Sequence, residues 1–458
     1  MNYEESVRSL LALGRELAAP QQARVQKFGL ENISILAASL GNPHRAVPCA
    51  HIAGTNGKGS TAAILESILR AAGLRTGLYT SPHLERINER IRINGENISD
   101  EEFAAAWTRV HAEIESLMAS GKLTAHPTYF ECVTAMAFLV FAGQRLDFAV
   151  FEVGLGGRLD STNIVTPEVA IITPIDFDHE NFLGHSIEQI AAEKAGIIKP
   201  GATVVSSVVR PEARAVIAGK CQEVGARLIE FDEAWRLDVN PPVQGCYSAV
   251  ATPVPTHSPA ELSNLAKLAI APPLPGQFQL RNALAAATAA RVLSGKGVPV
   301  DDQAIERGIA KVDWPGRLER LSENPLVYLD GTHNPAGARE LLKFWQENFA
   351  GRPIHLVYGA MRDKAVDEIA GVLFPHAHAV ILTEPRQPRA ISAPLLAEMT
   401  AHLARHSTII RDPAEALEQA IGMAHGGGAV FATGSLYLVG DLRTYWRTRK
   451  SAAAGPHS

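Results

Sequence analysis

Residues 47–61 read VPCAHIAGTNGKGST. The apolar run over 47–53 predicts a β-strand, and the apolar spacing over 59–72 predicts an amphipathic helix. Between them Gly54, Thr55, Asn56, Gly57, Lys58, Gly59, Ser60 and Thr61 make a glycine-rich turn from strand to helix. That is the setting a phosphate-binding loop needs. Successive backbone N–H groups and the helix N-terminus attract phosphate oxygens, glycines let the backbone come close, and Lys58 adds a point charge. The loop departs from the general Walker A pattern, because Ile52 stands at the first glycine position and Gly59 separates the lysine from Ser60. An ordinary glycine-rich turn is the competing reading; lysine and hydroxyls together at the turn favour phosphate.

Outward from this loop, short runs rich in β-branched residues alternate with helical patterns, which is how repeated βαβ units look in sequence. Strands are expected at 47–53, 74–80, 147–153, 169–175 and 203–208, with helices at 59–72, 101–118, 130–143 and 186–197. The Pro-rich segment 240–276 breaks the rhythm and reads as irregular connection rather than core. An Ala-rich helix resumes around 283–294. A second series follows, LVYLD at 326–330, IHLVYG at 354–359, AVILTE at 379–384 and AVFATG at 429–434. The expected division is an N-terminal domain over 1–312, a linker over 313–319 around Pro315 and Gly316, and a C-terminal domain over 320–458.

The 458 residues carry 43 Lys+Arg against 48 Asp+Glu, a formal net charge of -5, with 46% hydrophobic residues. This balance excludes a wholly disordered or fibrous chain and argues against nucleic acid or an anionic membrane as the main partner. Cys49, Cys132, Cys221 and Cys246 show no zinc or dithiol spacing and read as reduced thiols. The amino terminus lacks the charge pattern of a signal peptide, so the expected location is the cytoplasm.

Strand ends carry the remaining chemistry, since open parallel sheets bind ligands at their carboxyl edge. Ser81 and His83 follow one strand, Glu152 ends an almost wholly apolar one, and Asp176, Asp178 and His179 follow a third. Each alone reads equally as a turn residue or cap; together their oxygens suit a nucleotide with magnesium. In SIEQIAAEKAGIIK, Lys194 interrupts a stripe otherwise made of Ile187, Ile190, Ala191, Ile197 and Ile198. A lysine there is either snorkelling at the stripe's edge or placed for a reason.

HIAGTNGKGST, SPHLERINERI, TYFE, EVGLGGRLDSTN, DFDHENFLG and EKAGIIKPG succeed one another, followed by QLRN, PGRLE, DGTHNPAG and GSLYLVG. This series resembles the folylpolyglutamate synthase/dihydrofolate synthase family of the Mur ligase superfamily over most of the chain. The resemblance implies an α/β fold: a Mur-ligase-like P-loop ATPase domain with a mainly parallel sheet, plus a smaller C-terminal Rossmann-like domain. It implies an ATP-dependent amide ligase that phosphorylates a pterin-bearing carboxylate and joins L-glutamate to it, with ATP and Mg2+ as cofactors. Dihydropteroate and tetrahydrofolate polyglutamates are the implied acceptors, and a monomer is expected.

By the same resemblance, Gly54 to Thr61 hold the phosphates, Ser81 and Glu152 bind one magnesium, and His179 binds a second. Lys194 matches the lysine that the family carbamylates. Asn282, Arg317 and Asp330 match nucleotide-contacting positions, and His333 faces the reaction centre. Arg158 in GGRLDSTN resembles members with both activities. Arg86, Arg90 and Arg92 are expected either to guide anionic acceptors or to form a solvated face. A cell-wall amino-acid ligase and a non-catalytic nucleotide-binding regulator are the rival readings.

Overall fold

The computed structural model describes residues 1–14, 29–254, 266–403 and 406–453. The N-terminal sheet contains β1 (Cys49–Ala53), β2 (Thr76–Tyr79), β3 (Ile91–Ile93), β4 (Glu96–Asn97), β5 (Phe148–Glu152), β6 (Val169–Ile172), β7 (Thr203–Ser206) and β8 (Arg227–Glu230). Their order is β4-β3-β2-β5-β1-β6-β7-β8, parallel from β2 to β8, with β3 and β4 as an antiparallel edge. β1, β5 and β6 are buried along their whole length. Both faces are covered, which is why these strands read as unbroken apolar runs. In register, Ile52 sits beside Glu152 and Ala53 beside Ile172, so three strands end side by side.

Helices Lys58–Ala71, Phe278–Gly295 and Asp302–Lys311 cover one face, and Asp100–Ala119 with Tyr129–Gly143 covers the other. The helix at 302–311 approaches the one at 58–71 closely at Gly308, where a Cβ would stand 2.3 Å from Ile68 Cα. Gly308→Val should therefore lower the unfolding midpoint, overpacking of this kind costing about 1–3 kcal/mol. An unchanged midpoint in thermal unfolding would mean that the two helices part freely.

Segment 240–276 corrects the expectation of irregular connection. β9 (Trp235–Val239), β10 (Ala249–Pro253) and β11 (Leu268–Ile270) form a small antiparallel sheet. Ala249, Ala251, Leu268 and Ile270 point inward and join the core, while Val250 is exposed. The alternation was there to be read, but the flanking prolines masked it; Pro253 sits at a strand end, where the lost ladder donor matters least. Residues 255–265 of that segment lie outside the described residues.

The second sheet holds β12 (Glu319–Glu323), β13 (Leu326–Leu329), β14 (Ile354–Tyr358), β15 (Ala379–Leu382), β16 (Ser407–Ile409) and β17 (Ala429–Thr433), ordered β12-β13-β17-β14-β15-β16. All pairs are parallel except β12 with β13. Helices again cover both faces. β12 starts at Glu319, so this last residue of the expected linker is already in the sheet. No described helix is long and apolar enough to cross a membrane.

Candidate active site

The loop after β1 is held by its neighbour strand. Thr55 and Asn56 donate their amides to Pro174 O at 2.9 and 3.3 Å, and Thr55 Oγ1 donates to Asp176 O at 3.0 Å. Gly57 has φ +87° at the helix N-cap, and a Cβ there would meet Asn282 Oδ1 at 2.4 Å. Only glycine suits both the left-handed backbone and the tight space. No side chain caps this helix, so its first N–H groups remain for an anion. Lys58 Nζ folds back on Gly54 O at 3.1 Å and Thr55 O at 3.2 Å.

Lys194 is 3% exposed, and its Nζ donates to Gly54 O at 2.8 Å, directly behind the loop. Burial, then the charge of Lys58, brings its ammonium down to a pKa of about 7. The interruption in the apolar stripe is thus a buried lysine aimed at the glycine-rich loop rather than one snorkelling to solvent.

Glu152 is buried at the end of β5, and Ser81 N donates to its Oε2 at 3.1 Å. Asp178 lies where the two sheets meet: it accepts from Lys364 Nζ at 2.8 Å and Asn334 Nδ2 at 3.2 Å, with His333 Nε2 at 3.7 Å. Burial opposes its ionisation, yet Lys364, His333 and His179 hold its carboxyl well below the usual range. His179 Nε2 is 3.1 Å from Lys364 Nζ, and its Nδ1 is buried with no hydrogen-bond partner. Burial and Lys364 push this imidazole down to about 3, so it stays neutral at physiological pH. Asn56 and Asn334 exchange hydrogen bonds of 3.2 and 2.8 Å across the same junction.

Two cavities share this junction. One of about 690 Å³ is lined by the loop 54–60, Lys194, Asn282, Arg317 and Asp330. The other, about 320 Å³, is lined by Phe130, Arg158, Lys364 and Arg389 among others. Ser81, His179 and His333 line both. The buried Thr61, one turn into the helix, is on neither wall. Asp330 is bound by the amides of Leu318 and Thr332, at 2.9 and 3.0 Å, and so organises the stretch beside Arg317. His333 Nδ1 lies 2.8 Å from Gly331 O.

Residues 52–290 match the Mur ligase middle domain, and 316–436 match the Mur ligase glutamate ligase domain. The Bacillus subtilis dihydrofolate synthase/folylpolyglutamate synthase is 37% identical over 91% of this chain and 94% of its own. The chain belongs to the folylpolyglutamate synthase/dihydrofolate synthase family. It is accordingly an ATP-dependent ligase. The Mycobacterium tuberculosis folylpolyglutamate synthase solved with ADP and AMPPCP superposes with a TM-score of 0.84 at 32% identity, covering 96% of this chain and 99% of that one. Escherichia coli FolC with DHPP and ADP gives 0.83 at 30% identity, covering 98% and 99%.

The basic stretch after SPHL has its partners within the fold. Arg86 pairs with Asp100 at 2.7 Å, Arg90 is buried against His83 at 3.0 Å, and Arg92 lies over the Trp314 ring. None of the three lines either cavity. Sequence reasoning missed Lys364, Asn334 and Arg389. Lys364 and Arg389 follow strands β14 and β15, so applying the strand-end rule beyond DGTHNPAG would have found them.

Proposed function

We propose that this ligase joins L-glutamate to the carboxylate of a folate-type acceptor, accepting both dihydropteroate and tetrahydrofolate or its polyglutamates. The observation that carries the reading is the pair of cavities with a common wall. A nucleotide-only regulator would need the larger one alone, and the full-length relatives speak for folate over a cell-wall substrate.

In this reading the amides of Gly54 to Ser60 and the Lys58 ammonium hold the ATP phosphates, with Asn282, Arg317 and Asp330 around the rest of the nucleotide. An acceptor carboxylate oxygen attacks the terminal phosphorus, ADP leaves, and an acyl phosphate remains. The glutamate nitrogen then attacks the acyl carbon, phosphate departs and the ammonium proton is lost. Lys58 offsets the negative charge gathered in both steps.

Ser81 and Glu152 would hold one magnesium and His179 a second. They fit it: two offer hard oxygens, and the third is a neutral imidazole whose Nδ1 is buried without a partner. When bound, magnesium supplies positive charge against the phosphate oxygens. The contacts of Asp178 with Lys364, and of Asn56 with Asn334, keep the two sheets closed on the centre and water away from the acyl phosphate. Residues 1–312 serve as the nucleotide domain and the second sheet with its helices, from Glu319 onward, as the glutamate-ligase domain, joined through Pro315 and Gly316.

The test supplies purified protein with ATP, magnesium and L-glutamate, offering dihydropteroate and tetrahydrofolate separately. ADP and an amide product are expected with each. Product from tetrahydrofolate alone would restrict the activity to polyglutamate extension.

A further inference from the structure

The smaller cavity has walls of two origins. The N-terminal sheet contributes Pro82, Phe130 and Arg158, and the second sheet contributes three strand ends: Asp363 and Lys364 after β14, Arg389 after β15, and Ser435 after β17. Parallel sheets take their ligands at this edge, so the second sheet has a binding edge of its own facing the acceptor's side of the junction.

Three Lys or Arg side chains line this cavity among the described residues, and they differ in what they already hold. Arg158 donates twice to Glu193 Oε1, at 3.1 and 2.8 Å. Lys364 donates to Asp178 at 2.8 Å and reaches His179 at 3.1 Å. Arg389 has one side-chain partner, Asp363, at 3.5 Å, which is the outer limit of a hydrogen bond. Its side chain is 28% exposed to the cavity and its surroundings. A guanidinium offers five donors in a planar fork that matches a carboxylate.

Position decides which carboxylate. The α-carboxylate of an amino acid is attached to the carbon that bears the attacking nitrogen, so it must lie close to the shared wall at His179 and His333. Arg389 lines the smaller cavity and not the larger one, so it is not one of the residues of that shared wall. We propose that Arg389 is the specificity-determining residue for the amine donor, receiving its side-chain carboxylate and so selecting a dicarboxylic amino acid. This assignment rests on the ligase reading above.

The experiment compares the parent protein, Arg389→Gln and Arg389→Lys, using the acceptor that the parent turns over and either L-glutamate or L-glutamine as donor. ADP release and the mass of the amide product are read. Arg389→Gln should raise the KM for L-glutamate about 30-fold, the loss expected of one charged hydrogen-bonded contact. The KM for ATP should stay within about twofold, and the preference for glutamate over glutamine should narrow about tenfold. Arg389→Lys should recover part of the preference, since it keeps the charge without the fork. A glutamate KM within about threefold of the parent, or a fall in kcat with the preference intact, would overturn the assignment. A parent protein that releases no ADP with any pterin acceptor and L-glutamate would overturn the ligase reading, and the arginine assignment with it.

Discussion

Lys58→Ala is expected to lower kcat/KM on the order of 10²-fold or more while the fold persists. The ammonium rests on two backbone carbonyls of its own loop, Gly54 O and Thr55 O, at the edge of the larger cavity. Its ammonium also feels the buried carboxylates of Glu152 and Asp178, but Asp178 keeps Lys364 as its close partner, and alanine is a good helix former at this first helical position. What disappears is a cation poised over phosphate oxygens, worth roughly 3 kcal/mol of transition-state stabilisation. Steady-state kinetics beside circular dichroism check it. Turnover within about threefold of the parent, at full ATP saturation, would take the loop out of the mechanism.

Lys194→Ala is expected to be inactive and to regain part of its activity with a short carboxylic acid such as acetate. The hypothesis is that Lys194 carries a carbamate, which turns a buried cation into an anion beside the proposed magnesium. Carbamate forms from neutral amine and carbon dioxide. Burial first, and Lys58 second, bring this amine's pKa from 10.5 to about 7, so a large fraction is neutral at physiological pH. Carbamylation, and the activity that depends on it, should rise as pH rises through about 7. The bare lysine has an opposite sign from a favourable ion pair: the unfolded chain binds more protons between about 7 and 10.5. Its cost to stability is therefore full below pH 7 and vanishes toward 10.5. A bare ammonium in crystals grown with bicarbonate and nucleotide, or no rescue by acetate, would sink the idea.

The sequence by itself determined the architecture and the glycine-rich turn from strand to helix. β1, β5 and β6 are buried on both faces, so their composition alone announced them, and the punctuation GTNGKGST could serve few other ends. Lys194 was legible for the same reason, as a charge placed where burial forbids one without purpose. What stood close in sequence to a strand end, Ser81, Glu152 and His179, could be inferred from the carboxyl-edge rule. Tertiary structure decided everything that depends on which strand ends face each other. Lys364 meets Asp178 across 186 positions of chain, and Asn334 meets Asn56 across 278. Local periodicity holds no record of such pairs. The same limit hid the partners of Arg86, Arg90 and Arg92, which are Asp100, His83 and the Trp314 ring in the fold. It also hid β10 and β11, since a short strand that buries one face against a distant helix differs from a proline-rich connection only once that helix is in place.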